Sequence, residues 1–281
     1  MKINEARSKI RNSHFGNKSK KLLNEWINHE SLGSVGMGLF EVPPVIESAK
    51  GSYLYDCEGK EYLDFLSGFS VSALGNNNEE ITKIIIEQSQ KLTHYFDFPH
   101  PERIKLAKKL CEISGIKDKN SVIFGVTGSD AIELAIRVAR YFTGKPYILT
   151  AHGDYHGVTY GTMGLTTKGG MHPYFHPSRP NMDVGYFPFP HPYRKPNDKY
   201  PGYDINSLKI FQQTLEGKET VYTDGLNNVN NVAAILVEPF QSSAGYYIPP
   251  KEYLQILREI ADRHGMLLIV DEIQNGLGRS G

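Results

Sequence analysis

The stretch Met266–Gly281 reads MLLIVDEIQNGLGRSG. Its first five residues, Met266 to Val270, form a short apolar run of the kind that makes a buried strand. Asp271 and Glu272 follow at the carboxyl end, and a turn punctuated by Gly276 and Gly278 comes after them. In open α/β sheets, ligands bind in the crevice outside the carboxyl ends of the strands. A carboxylate at the lip of such a strand is costly to bury without a cationic partner. Taken alone, Asp271 reads equally well as a cap for the next element. The chain upstream decides between the two readings.

Working outward, strands and helices alternate. Ser121–Val126 is a β-branched run followed by TGSD, and Asp130 to Phe142 is an amphipathic helix expected to turn Ala131, Leu134, Ala135, Val138, Ala139 and Phe142 inward. Tyr147–Ala151 is a second strand leading into HGDYHG, and Val232–Val237 is a third, ended by Glu238 and Pro239. Pro249 and Pro250 start a helix through Tyr253, Leu257 and Ile260, closed by Gly265. Such alternation predicts an α/β fold: βαβ units around a mostly parallel sheet with helices on both faces. Residues 166–204 break the pattern, because half of the 16 prolines fall between Pro173 and Pro201 among many His and Tyr. This region is expected to be a long ordered excursion without regular structure.

The amino-terminal third reads differently. Residues 1 to about 35 are polar and weakly helical, with Leu22, Leu23, Trp26 and Ile27 as a docking stripe, and Gly33, Gly36 and Gly38 form a connector. Gly51–Phe65 is a β-hairpin around an Asp-Cys-Glu-Gly turn. Asn78 caps a helix in which Ile81, Ile84 and Ile85 recur at helical spacing, and Pro101 opens another expected to turn Ile104, Leu106, Ala107 and Leu110 inward.

Composition excludes several classes. With 281 residues, 40% hydrophobic content and a formal net charge of zero, the chain reads as globular, with no reason to bind nucleic acid or an acidic membrane. Its two cysteines, Cys57 and Cys111, lie far apart. That argues against a disulfide framework or a cysteine-based metal site and suits a reducing compartment, so a cytoplasmic location is expected. No apolar run approaches the roughly 20 residues that span a bilayer, and the basic start lacks the apolar core of a secretory signal.

The chemistry-bearing segments all follow strands, so the sheet should gather them along one edge. Gly128 and Ser129 open a helix, where free backbone N–H groups suit a phosphate; a plain helix cap by Ser129 or Asp130 is the alternative. Tyr155 sits in a glycine-flanked loop and could offer its ring face to a flat heterocycle. Glu238 and Asp271 end strands. A phosphate cradle, an aromatic plate and a strand-end carboxylate suit a cofactor that is phosphorylated, planar and basic at a ring nitrogen. Pyridoxal 5′-phosphate meets all three demands, because an Asp against the pyridine nitrogen keeps it protonated.

The segments GSYLYDCEGKEYLDFLSG, VTGSDAIELAIRVAR, HGDYHG, VEPFQ and LLIVDEIQNGLGRSG together resemble the class III (ornithine/4-aminobutyrate type) pyridoxal-phosphate aminotransferases of fold type I. The resemblance runs from about residue 50 to the last residue. It implies that Gly128 and Ser129 hold the phosphate, Tyr155 stacks on the ring, His156 lies close to it and Asp271 pairs with the ring nitrogen. It further implies that Gln274 hydrogen-bonds the cofactor's phenolic oxygen and that Glu238 lines the substrate side. Residues 1–100 become an N-terminal segment with part of a small domain, and 101–281 an incomplete cofactor-binding large domain. The implied substrates are an amino acid or amine and a 2-oxo acid, and the implied assembly is a homodimer. The family's Schiff-base lysine lies beyond Gly281, so no catalytic residue is assigned. The chain is expected to be the amino-terminal part of an enzyme that does not transaminate alone.

Three other readings carry less. Gly276, Gly278 and Gly281 also spell a dinucleotide fingerprint, but Asp271 to Asn275 separate them from the strand and no helix follows. GSDA, YHGVTYG and FPFPHPYR resemble the amino-acid racemases and epimerases of the same family. A lysine-less fold kept as a binding module is the third.

Overall fold

The computed structural model describes residues 3–30, 41–116, 120–167, 183–192, 205–215 and 229–280. The connector glycines Gly33, Gly36 and Gly38 lie outside them, as does most of the proline-rich excursion. The chain falls into two compact units, Met1–His100 and Pro101–Gly281.

In the first unit, α1 (Ile3–Asn12) and α2 (Asn17–His29) bury Ala6, Ile10, Phe15, Leu23 and Ile27 in a small core. Three antiparallel strands follow in the order β1-β2-β3: β1 (Ile46–Lys50), β2 (Tyr53–Asp56) and β3 (Glu61–Leu63). β2 and β3 are the expected hairpin; β1, which carries no hairpin signal of its own, extends it. Asp56 holds the turn, accepting the amides of Glu58 at 3.0 Å and Lys60 at 2.9 Å and the Tyr62 hydroxyl at 2.8 Å. Those bonds aim Glu58 at the start of α2. The N-cap there is Gly16, which has no side chain to cap with, and Glu58 Oε1 accepts the Ser19 amide at 3.0 Å in its place. A Cβ on Gly16 would collide with that carboxylate. Asn78 caps α3 (Glu79–Lys91), accepting from Glu80 and Ile81, while Ile81, Ile84 and Ile85 stay exposed.

The second unit begins with α4 (Pro101–Ile113), then α5 (Gly128–Thr143) and β4 (Tyr147–Ala151). After these come β5 (Val184–Phe187), α6 (Ile205–Leu215), β6 (Val232–Val237), α7 (Tyr253–His264) and β7 (Leu267–Val270). The strands form one parallel sheet in the order β5-β4-β6-β7. β6, apolar at every position, is buried throughout. Its alternating side chains feed two cores: Ile235 and Val237 pack with Phe187, Phe211, Tyr253 and Leu257, while Ala234 and Leu236 pack with Ile132, Ile136 and Ile148. Gly265, left-handed at φ 61°, ends α7 and turns the chain directly into β7.

Four expectations need correction. Ser121–Val126 forms no strand: among the described residues it pairs with nothing, and Ile123 and Val126 are exposed. β-branched composition favours a pleated surface, but a strand exists only where a ladder partner does. α5 buries the expected Ala139 but otherwise Ile132 and Ile136, and it exposes Val138 and Phe142. Its sequence offers two apolar stripes at helical spacing, and contact with the sheet selects the other one. α4 leaves Ile104 and Leu106 exposed, at 57% and 50%, for the same lack of a covering element among the described residues. The excursion contains a regular strand, since Val184–Phe187 pairs with β4 as the sheet's edge. Pro188 follows immediately, a place that costs no ladder bond.

No described helix is long and apolar enough to cross a membrane. Glu58→Ala should free the first turn of α2 and destabilise the chain by about 1 kcal/mol, the usual loss on removing a helix cap. Urea unfolding followed by circular dichroism measures it, together with faster amide exchange at Ser19.

Candidate active site

Parallel strands end on the same side of a sheet, so the residues after β4, β6 and β7 converge there. The start of α5 joins them. The result is a cavity of about 230 Å3 whose lining includes all seven residues singled out by sequence: Gly128, Ser129, Tyr155, His156, Glu238, Asp271 and Gln274.

At one end sits the amino terminus of α5. Thr127 caps it, accepting the Asp130 amide at 3.1 Å, while the Asp130 carboxylate turns back to accept the Val126 amide. The cap is therefore Thr127, and neither Ser129 nor Asp130 is spent on it. Helix geometry leaves the first-turn amides of Gly128 and Ser129 without intrahelical acceptors, next to the positive end of the helix dipole. Two glycines shape this corner. A Cβ on Gly128 would come within 3.0 Å of Ile273, and one on Gly157, at φ +117°, would collide with the Ser129 and Thr162 hydroxyls.

At the other end is a buried polar knot. Asp271 continues the ladder, its amide donating to Val237 at 2.8 Å, and the residue is only 5% exposed. Asp271 Oδ2 lies 2.8 Å from His156 Nδ1, and Oδ1 accepts the Ile273 amide at 3.1 Å. Each carboxylate oxygen keeps a second acceptor position. His156 is buried, with its Nε2 3.1 Å from Thr150 Oγ1 and 3.5 Å from Asp154 Oδ2. Burial by itself lowers the basicity of this imidazole, but hydrogen bonds and charge from Asp154 and Asp271 overcome that and carry its pKa up to about 9.

The loop between β4 and the cavity is tied down at nearly every residue. Glu238 Oε1 accepts the Tyr155 amide at 2.8 Å, and Oε2 accepts the Ser242 amide and hydroxyl at 3.0 and 2.7 Å. Burial first, and the Asp154 charge second, push the Glu238 carboxyl upward against those donors. Asp154, fully buried, accepts from Gln241 Nε2 at 2.9 Å and from the Glu238 amide at 3.3 Å. Thr166 Oγ1 accepts the His156 amide, and Thr167 Oγ1 accepts that of Gly153. Tyr155 alone in the stretch Asp154–His156 is half-exposed, on the cavity side.

Sequence reasoning missed Thr150, Asp154, Gln241 and Ser242. Asp154 and Gln241 both lie inside segments that carried the resemblance, and the two-residue spacing of Asp154 and His156 was the available signal.

The residues fit pyridoxal phosphate on these observations alone. The α5 amides and the Ser129 hydroxyl suit the phosphate, Tyr155 gives a ring face, and Asp271 keeps acceptor capacity inside an apolar strand end.

Comparison with known proteins agrees with this geometry. Residues 38–281 match the family described as aminotransferase class-III. The leucine/methionine racemase of Thermococcus litoralis is 40% identical over 250 residues, 85% of this chain and 52% of its own length. The acetylornithine aminotransferase of Methanopyrus kandleri is 33% identical, over 85% of this chain and 54% of its own. Among solved structures, an amine transaminase from an uncultivated Pseudomonas species superimposes with a TM-score of 0.74 at 28% identity, covering 89% of this chain and 56% of its own. The chain belongs to the class III aminotransferase family and has the large-domain sheet of fold type I. It spans about half the length of the curated relatives it matches.

The raised His156 pKa fixes the sign of a pH effect. Its folded value, about 9, lies above the ordinary 6.5, so its stabilisation is fully present below about pH 6.5 and is lost as pH rises through about 9. At 1.36 kcal/mol per pH unit, that difference converts to about 3 kcal/mol at most. Thermal unfolding from pH 6 to 10 should show the decline, and His156→Gln should flatten it.

Proposed function

We propose that this chain forms the pyridoxal-phosphate-binding half of an aminotransferase site that moves an amino group between an amino acid or amine and a 2-oxo acid. The observation that carries the reading is the convergence of the α5 amino terminus, Tyr155 and buried Asp271 on one cavity. The bound cofactor supplies an electron sink for the charge left when a proton leaves the substrate's Cα. Gly128 and Ser129 anchor its phosphate through their amides and the serine hydroxyl. Tyr155 covers one ring face, and its backbone is fixed by Glu238. Asp271 holds a proton at the ring nitrogen, and its carboxylate is fixed by His156 Nδ1 at 2.8 Å. Gln274, in the same lining, donates toward the phenolic oxygen. Glu238 lines the substrate side, yet three donors already occupy its carboxylate, so its main work is to hold Tyr155 and Ser242 in place.

The reading extends to a cytoplasmic homodimer. Phe65, Val71 and Leu74 are exposed in the unit Met1–His100, an apolar surface of the kind a second subunit covers, and two free cysteines suit a reducing compartment.

A second reading, amino-acid racemisation, is favoured by the 40%-identical leucine/methionine racemase. Both reactions need a proton removed from Cα, so Tyr155 and Asp271 serve either one. In the whole protein, 2-oxo acid formed from a panel of amino acids supports transfer. Solvent deuterium at Cα without net transfer supports racemisation, and neither product removes both readings.

On this chain, pyridoxal phosphate should bind and quench tyrosine fluorescence. Asp271→Asn should weaken binding at least 10-fold, or about 1.4 kcal/mol. Equal affinity in the variant would remove Asp271 from the site.

A further inference from the structure

Burying an imidazole between two carboxylates is an unusual expense for a site that needs only one of them. Asp271 is accounted for by the cofactor reading on which this inference rests. Asp154 does not itself line the cavity, yet it is fully buried and held in one orientation by Gln241 and the Glu238 amide. Its Oδ2 faces His156 Nε2 at 3.5 Å, on the side of the imidazole away from Asp271. We propose that Asp154 is a positioning residue for Asp271: acting through His156, it keeps both ring nitrogens protonated, so that Nδ1–H is always the donor that fixes the Asp271 carboxylate toward the cavity.

The alternative arrangement is explicit. In a neutral His156 with its proton on Nδ1, Nε2 would accept from Thr150 Oγ1 at 3.1 Å, and the Asp154 oxygen would face a lone pair. With the proton on Nε2, Asp271 would lose its donor. Carboxylates at both nitrogens disfavour both neutral forms, because each tautomer leaves one buried charge, Asp154 or Asp271, without its donor. Among the described residues, the surrounding groups do not supply another cation. Facing His156 are Asp271 after β7, Asp154 in the same loop and the Thr150 hydroxyl on β4. One step further out are Glu238 after β6 and Tyr253 on α7, whose hydroxyl burial keeps neutral. With His156 cationic, two carboxylates and one imidazolium leave a single negative charge, matched to one protonated ring.

The test uses the chain without cofactor. In 15N-histidine NMR, His156 should show both ring nitrogens protonated at pH 8. Asp154→Asn, which keeps the shape and can still bond Gln241, should lower the midpoint of His156 by more than one pH unit, at least a 10-fold fall in the ratio of doubly protonated to neutral imidazole at pH 8. Thr150→Val should leave it doubly protonated. A neutral His156 in the unmodified chain overturns the proposal, and that measurement needs no variant to fold. An unchanged midpoint in Asp154→Asn, or loss of the second proton in Thr150→Val, overturns it as well. Pyridoxal phosphate titration is read separately: Asp154→Asn should weaken binding several-fold. Absence of cofactor binding in the unmodified chain would refute the cofactor reading and leave the histidine result standing.

Discussion

Three carboxylates, Asp154, Glu238 and Asp271, are taken out of water where β4, β6 and β7 end, and the rest of the cavity is arranged around that fact. An isolated ionised carboxylate in an apolar interior is so unfavourable that it either neutralises or recruits donors. Here donors come from every neighbouring segment. Glu238 takes two amides and a hydroxyl, Asp154 takes a glutamine amide group and a backbone amide, and Asp271 takes an imidazole and a backbone amide. Four of these seven bonds tie one strand-end loop to another, so satisfying the charges and fixing the loops are one requirement.

That requirement explains why the sheet is parallel in function as well as in form. Strands running the same way present their carboxyl ends together, and the connections needed for parallel pairing place helices on the faces. The fully apolar β6 could not occupy the middle of a half-solvated sheet; buried on both faces, it brings Glu238 to the centre of the edge. β4 and β7 on either side supply His156 and Asp271, close enough to bond across the 115 residues between them. α5 then adds the one feature strands cannot supply, a set of aligned amides.

Much of this was legible in the sequence because strand ends are easy to find. Short apolar runs stopping at Asp or Glu mark both the strand and the residue it delivers, which is why Glu238 and Asp271 could be named. What failed to show was anything decided by a partner. Ser121–Val126 has the composition of a strand and no ladder; Val184–Phe187 sits among prolines and has one. The buried face of α5 was misassigned because two of its stripes are apolar and only the sheet distinguishes them. Asp154 stayed hidden because an Asp between Gly and Tyr reads as a turn residue, and its partners Gln241 and Glu238 lie more than eighty positions away.

The stretch Asp154–His156 concentrates these demands. Successive residues of an extended chain point to opposite sides, so Asp154 and His156 share one side and Tyr155 takes the other. The shared side is buried and polar, while Tyr155 is half-exposed and lines the cavity. A shift of the loop by one residue would swap these roles, exposing the imidazole and burying the tyrosine among carboxylates. Several bonds oppose such a slip: Tyr155 N to Glu238, His156 N to Thr166, and Thr167 N to the Asp154 carbonyl. Gly157 completes the turn at φ +117°, where any side chain would strike Ser129. The place of the Tyr155 ring at the cavity and the bond from His156 to Asp271 are thus set by the same backbone register. Tyr155 could not drift along the cavity without also withdrawing the imidazole from Asp271.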